Sequence, residues 1–250
     1  MNKITAIIPT FNEEHNIVGA IQSVAFADEI IIVDSFSSDQ TINLAKPLAT
    51  KIIQKEYKNS ASQKNWAIPQ AKYDWILLID ADERITPKLA QEIQQILRYN
   101  ISESGFWIYR QNHFMGKKVH FSGWQYDKVI RLFKKNKCRY ESKNVHAEIT
   151  TKGKIGFLKN KIHHNTFLYI KDYLLKIDRY AQWQSKDYDH ITGILTPYHF
   201  IIKPIMRFVK HYFIQLGILD GLTGLTISII QSYAVFLRYI KLWELRKSKK

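Results

Sequence analysis

Cysteine is almost absent from this 250-residue chain. Cys138 stands alone, so no disulfide can close within the chain and no zinc site can be assembled from its thiolates. Acid is also in short supply. Lys and Arg number 37 against 22 Asp and Glu, a formal charge of +15, which inclines the surface toward nucleic acid, phosphorylated substrates or an anionic bilayer. Glycine is missing where a phosphate loop would need it: the first is Gly19, well past the apolar run that ends at Pro9, which counts against a glycine-rich loop leading into a helix. Met1-Asn2-Lys3-Ile4 passes directly into that run without the long apolar stretch and small-residue cleavage site of a secretory signal. The N-terminus is accordingly expected on the cytoplasmic side. No internal repeat or low-complexity segment is visible.

A hydrophobic content of 46% can bury one substantial core, so one domain with appendages is expected. The first 95 residues alternate between two textures. Residues 4–9, 29–34, 51–54 and 75–79 are short apolar runs that read as strands. Between them lie segments with helix-start signals, such as Asn12 followed by Glu13 and Glu14. Strands alternating with helices predict an α/β fold whose mainly parallel sheet is covered on both faces. Ligands of such sheets sit beyond the carboxyl ends of the strands. Pro9-Thr10, Asp34 and Asp80-Ala81-Asp82 all stand at those ends, so three separate segments point to one site.

Two carboxylates one residue apart at a strand end, Asp80 and Asp82, can offer oxygen ligands to Mg²⁺ or Mn²⁺, which completes its shell with substrate phosphate oxygens. Acids beside the apolar residues 76–79 are costly unless solvated, paired or metal-bound. Asp34 could accept hydrogen bonds from a ribose or a base, or could cap the helix that follows Ser35.

In family order, Ile7-Ile8-Pro9-Thr10-Phe11-Asn12-Glu13-Glu14, Ile31-Ile32-Val33-Asp34-Ser35-Phe36-Ser37-Ser38-Asp39-Gln40-Thr41 and Leu78-Ile79-Asp80-Ala81-Asp82-Glu83 resemble the inverting family 2 glycosyltransferases of GT-A fold. That resemblance implies that Pro9, Thr10, Phe11, Asn12 and Glu13 hold the nucleotide base and ribose, and that Asp34 contacts the nucleotide. Asp80 and Ala81 would line the donor site, Asp82 would ligate the metal, and Lys64-Asn65 looks like the family's basic-Asn pair near the diphosphate. Further along, Gly123-Trp124-Gln125-Tyr126-Asp127-Lys128-Val129-Ile130-Arg131-Leu132-Phe133, Val145-His146-Ala147-Glu148 and Leu216-Gly217-Ile218-Leu219-Asp220-Gly221 resemble the bacterial lipopolysaccharide core glucosyltransferases. This narrower likeness implies UDP-glucose as donor and a core oligosaccharide or related glycolipid as acceptor.

Inverting transfer needs a group to take the proton of the acceptor hydroxyl. Many relatives use an Asp in a Glu-Asp pair shortly before an Arg-Leu. That pair is missing here, and Gln125 stands where the Asp would be expected. Asp127, four residues before Arg131, is the first candidate base, set against an ion pair with Arg131 or Lys128. Glu148 is the second, with His146 orienting it or touching the diphosphate. Arg131 suits a diphosphate clamp because its fork matches phosphate oxygens. His163-His164 is not expected to hold the metal, since neighbours on a strand face opposite ways and the expected ion prefers oxygen.

Between 111 and 161 there are 13 Lys or Arg against 3 acids, an excess that suits a phosphorylated glycolipid. Nucleic acid would be the competing partner, but no nucleic-acid fold signature is present. Residues 196–250 carry 9 Lys or Arg against 2 acids among apolar and aromatic residues, a composition of helices that lie on an anionic bilayer. The expected organisation is a catalytic domain over 1–195, with a donor half 1–100 and an acceptor half 101–195, followed by a basic, apolar helical region over 196–250. The expected protein is a cytoplasmic enzyme held peripherally at the membrane. A nucleotidyltransferase of similar fold, or a binding module without catalysis, are the rival readings.

Overall fold

The computed structural model describes residues 2–99, 101–141, 148–167 and 169–249. The chain divides into two compact units, Met1–Arg110 with Asp127–His164, and Gln111–Tyr126 with Asn165–Lys250. The second unit thus begins its main segment at 165, ahead of the change in composition near 196, and also takes in the aromatic stretch 111–126.

The first unit opens as the apolar runs foretell. β1 (Ile4–Thr10), α1 (Ile17–Ser23), β2 (Glu29–Asp34), α2 (Thr41–Ala45), β3 (Lys51–Gln54), α3 (Ser60–Ala67) and β4 (Trp75–Leu78) alternate, and the four strands lie parallel in the order β3-β2-β1-β4. Successive side chains leave a strand on opposite faces, so each apolar run feeds two cores. Ala6, Ile8, Ile30, Ile32, Leu77 and Ile79 join one with α1, while Ile7, Ile31, Val33, Ile76 and Leu78 join the other with α3. Burial on both faces is what allows these strands to be unbroken runs of Ile, Val and Leu.

Beyond β4 the sheet becomes antiparallel. β5 (Glu83–Ile85) follows a tight turn, and α4 (Pro87–Leu97) starts with Thr86 capping the Leu89 N–H at 3.2 Å and Pro87 in the first turn. β6 (Gly105–Phe114), β7 (Lys117–Lys118), β8 (Lys128–Lys134), β9 (Arg139–Tyr140), β10 (Ile149–Thr150), β11 (Ile155–Phe157) and β12 (Ile162–Phe167) complete the strands. β8 pairs antiparallel with both β4 and β6, β11 runs parallel to β6, and β12 lies antiparallel to β5. The result is the expected α/β architecture, a helix-flanked sheet whose first four strands are wholly parallel, extended by mostly antiparallel strands.

The second unit is chiefly helical. α5 (Ile170–Asp189), α6 (Lys203–Val209) and the long α7 (Gly221–Lys247) are its main elements, with π-helical turns at Tyr198–Ile202 and Lys210–Ile214 on either side of α6. Phe114, Val119, Tyr173, Ile177, Ile227 and Ile230 form its core, and a smaller cluster surrounds Tyr239. Asp220 ties a loop of this unit to the start of α7 by accepting hydrogen bonds from the His120 and Phe121 N–H groups at 3.1 and 2.8 Å.

Candidate functional site

Strand register brings the three motif segments together. Thr10 pairs with Asp34 across β1 and β2, Ile7 pairs with Leu78 across β1 and β4, and the Ile79 N–H continues the ladder to the Ile7 carbonyl at 3.1 Å. Thr10, Asp34 and Asp80 therefore finish neighbouring parallel strands at one edge of the sheet, the place where such folds receive ligands.

Beyond the ends of β1 and β2, two loops are tied to one another. Asn12 adopts a left-handed backbone, φ 53°, which Asn tolerates better than most residues. From there its N–H donates to the Ser37 hydroxyl at 2.9 Å, and its side-chain oxygen accepts from the Ser38 N–H at 2.8 Å. Asp34 is fully buried and accepts from the Ser37 hydroxyl at 2.6 Å and from the Gln54 amide at 3.0 Å. It thus turns the loop after β2 as well as ending the strand. The buried Thr10 hydroxyl makes no hydrogen bond among the described residues, a cost that a bound ligand could remove. Phe11 and Phe36 are both more than half exposed in these loops, and Phe36 also holds a left-handed backbone, φ 62°, strained for a bulky residue. Glu13 accepts from the Asn16 amide at 2.8 Å. Burial raises its carboxyl above the ordinary range, and the nearby Asp82 and Asp80 charges add to that against the pull of Asn16 and Arg84.

The acidic strand end is organised around a residue that the motif presents only as its last acid. The Glu83 side chain is fully buried. It receives the Asp80 N–H at 3.1 Å while the Glu83 N–H donates to the Asp80 carbonyl at 2.9 Å, closing the turn. Arg131, from β8, donates to Glu83 at 2.7 Å and also to Asp80. Lys64, placed by α3, meets the other Asp80 oxygen at 2.8 Å and lies 5.3 Å from the Tyr140 ring centre. Arg110, from β6, bridges Glu83 at 3.3 Å and Asp127, with the latter held at 3.0 and 2.7 Å by two N–H groups. Three carboxylates, Asp80, Glu83 and Asp127, are thus threaded by three cations, Lys64, Arg131 and Arg110.

Their mutual attraction outweighs burial. Burial alone would raise the Asp80 carboxyl, yet Arg131 and Lys64 hold it well below its usual range. Burial would likewise lower Arg131, but Asp80 and Glu83 keep it firmly protonated. Asp127 and Arg131 do lie in one cluster, although Asp127 takes its fork from Arg110 rather than from Arg131 or Lys128.

Asp82 stands apart from this thread. Its Oδ2 lies 3.3 Å from His164 Nε2, because β12 pairs with β5 so that His164 is opposite Glu83. The alternation that argues against a His163-His164 pair is observed, with His163 exposed and His164 buried. The same alternation sends one of the two inward, and that signal could have singled out His164. Asp80 and Asp82, taken together in the motif, have separate situations: both Asp80 oxygens are engaged by cations, while Asp82 faces an imidazole and is partly open to solvent.

Among the described residues, no group of three or more His, Cys, Asp or Glu forms an all-protein metal cage. A hard divalent ion does not need one, because one or two carboxylates plus diphosphate oxygens and water fill its shell. Asp82 with His164 fits that requirement.

The remaining candidates are placed as follows. Asn65 spends both ends of its amide on the Tyr140 main chain, at 2.9 Å each. Pro9 is half-buried within β1, and Ala81 is buried in the turn. Glu148 is exposed, and His146 lies outside the described residues.

The model of a family described as "Glycosyl transferase family 2" matches residues 5–155. An uncharacterized glycosyltransferase of Rickettsia felis is 33% identical, with the alignment covering 100% of this chain and 93% of that protein. The lipopolysaccharide core biosynthesis glycosyltransferase LpsC of Rhizobium meliloti is 24% identical over 94% of this chain and 93% of its own. Among solved structures, glucosyl-3-phosphoglycerate synthase from Mycobacterium tuberculosis aligns over 45% of this chain and 44% of its own, with a TM-score of 0.38 and 18% identity.

Proposed function

Since the chain belongs to glycosyl transferase family 2, we propose that it moves a hexose, glucose in the first instance, from a UDP-sugar to a hydroxyl of a lipopolysaccharide core or related glycolipid, with inversion. Membership makes it a glycosyltransferase and sets aside the nucleotidyltransferase and the non-catalytic module. The observation that carries the finer reading is the segregation of charge at the strand ends. Asp80, Glu83 and Asp127 share the cations Lys64, Arg131 and Arg110, while Asp82 meets His164 and the Arg84 charge in the turn after β4, the strand that neighbours β1.

In this reading the Thr10 hydroxyl and Asp34, with the loops of Asn12 and Phe36, receive the nucleoside. Asp82 and His164 would hold a divalent ion, Mg²⁺ or Mn²⁺, whose contribution when bound is to neutralise charge developing on the leaving diphosphate. Lys64 and Arg131 fix the Asp80 turn, so the Asp82 carboxylate is presented in one orientation. Asp127, oriented by the Arg110 fork, takes the proton of the acceptor hydroxyl. The acceptor oxygen then forms its bond to the anomeric carbon as the bond from that carbon to the diphosphate breaks, and UDP departs with the electron pair. The acceptor class is supported by the basic excess over 111–161 and by the LpsC relative, which is named for lipopolysaccharide core biosynthesis.

The test is UDP release from a panel of UDP-hexoses with core oligosaccharide acceptors, with and without Mg²⁺ or Mn²⁺, and mass spectrometry of the product. A mass gain of one hexose, metal-dependent and lost in Asp82→Ala, is expected. Metal-dependent transfer at the wild-type rate in Asp82→Ala would remove the assigned centre.

A further inference from the structure

We infer that the helical segment 198–214, together with the turn that follows it, is a face that rests on an anionic lipid bilayer. This goes beyond the donor-site reading and does not depend on it. The segment is helical throughout, π-helical at Tyr198–Ile202, α-helical at Lys203–Val209 and π-helical again at Lys210–Ile214. Its polarity is the reverse of what a helix in water requires. Ile201, Ile202, Ile205, Met206, Phe213 and Ile214 are exposed, Ile214 to 72%. Lys203, Arg207 and His211 turn toward the rest of the unit instead, and Lys210 stays exposed. Lys203 donates to the Tyr239 hydroxyl at 2.7 Å, Arg207 reaches the Gln231 side chain at 3.4 Å, and buried His211 meets the Ser122 carbonyl at 2.8 Å.

The turn Gly217–Asp220 extends the apolar face with Ile218 and Leu219, and Leu222 follows at 78% exposure. Its one acid, Asp220, faces back into the unit, where it accepts from the His120 and Phe121 N–H groups. Contiguous exposed apolar surface of this kind marks a contact with something other than water.

Charge selects the occupant. Lys210 is the exposed charge of the segment, and no carboxylate between 190 and 219 opposes it. The whole chain carries +15, so pairing two copies through this face would bring two cationic bodies together, whereas an anionic leaflet attracts them. The segment lies on the bilayer rather than crossing it. The stretch Gly217–Lys247 is long and apolar enough to span by length and composition, with Ile227, Ile230 and Val235 of α7 packed in the cores of the second unit and most of its window exposed.

The test uses the full chain, without donor or acceptor, and vesicles of phosphatidylglycerol mixed with phosphatidylcholine, against phosphatidylcholine alone. Wild-type protein should co-float with the anionic vesicles. The triple variant Ile205→Glu, Ile214→Glu, Leu219→Glu should partition at least about tenfold more weakly, with unchanged circular dichroism and Tm because all three side chains are exposed. Cys138 is buried, so Ile205→Cys offers an accessible thiol for an environment-sensitive dye. Emission should shift to the blue on anionic vesicles, and the same dye at Lys88→Cys should not respond. Equal partitioning of wild type and triple variant, a dye response that is the same at both positions, or a wild-type dimer that the triple variant dissolves without any vesicle binding would each overturn the inference.

Discussion

Asp127 and Arg110 are joined as a fork, with Nε donating to Oδ2 at 3.0 Å and Nη2 to Oδ1 at 2.7 Å. Such a pair fixes the plane of the carboxylate. The bond is thus compatible with a base that must be aimed before it accepts a proton. Asp127→Asn keeps the size and the fork's acceptor on one side but removes the basicity. Its turnover is expected to fall about 100- to 10,000-fold, with donor binding by calorimetry unchanged. Arg110→Lys keeps the charge and loses the fork, so its turnover should fall less than that of Asp127→Asn. Wild-type turnover in Asp127→Asn would pass the role to Glu148.

The separation of Asp82 from Asp80 yields a metal prediction. Asp82→Asn should abolish saturable Mn²⁺ dependence. His164→Ala, which removes the imidazole 3.3 Å from Asp82, should raise the Mn²⁺ concentration for half-maximal activity about 10- to 100-fold. Titration of UDP-sugar turnover against Mn²⁺ for each variant reads both effects. An unshifted titration in His164→Ala would confine that residue to supporting β5.

Arg131 and Glu83 form the buried centre of the ion-pair thread, 4% and 0% exposed. Removing one partner of a buried pair leaves an uncompensated charge, so Arg131→Met should cost about 3–5 kcal/mol. Adding Glu83→Gln to that variant should recover part of the loss, because the buried carboxylate, left with Arg110 at 3.3 Å once Arg131 is removed, is then gone. Urea unfolding of wild type, both single variants and the double variant closes the cycle. Purely additive losses would show that the two side chains are not energetically coupled.

The parallel half of the sheet is legible because its strands are uninterrupted apolar runs. Residues 4–9, 29–34 and 75–79 could only be buried strands, and their acidic or hydroxylated ends could only gather at one edge. What escaped depends on pairings between distant segments. Nothing near Arg110 in sequence announces that it bridges Glu83 and Asp127, 27 residues before it and 17 after it in the chain. Asn65, read as a diphosphate contact, spends its amide on Tyr140, 75 residues away. His163-His164 is not expected to hold the metal because the ion prefers oxygen and strand neighbours face opposite ways, and the fold places His164, alone of the two, 3.3 Å from Asp82. The helix over 198–214 is visible as apolar composition, but only the fold reveals that Lys203, Arg207 and His211 face inward.

Glu13 gives the pH prediction. Burial raises its folded-state carboxyl above the ordinary value of 4.5, and Asp82 and Asp80 reinforce the shift. Between 4.5 and the raised value the folded protein holds a proton that the unfolded chain has released. The folded state is therefore favoured below that window, and stability declines as pH rises through it. Above that window the ionised Glu13 is a cost to the folded state, one that a cation bound near Asp82 would offset. Glu13→Gln can still accept the Asn16 amide and carries no charge. It should raise Tm at pH 7 in the absence of metal and flatten the decline of Tm above pH 4.5. With Mn²⁺ and UDP present, wild type should recover more of its Tm than the variant does, because a bound cation compensates the carboxylate that Gln lacks. Differential scanning calorimetry at pH 5 and pH 7, with and without Mn²⁺ and UDP, measures both differences. A Tm for Glu13→Gln at or below wild type at pH 7 without metal would mean that the ionised carboxylate already has its compensation within the protein.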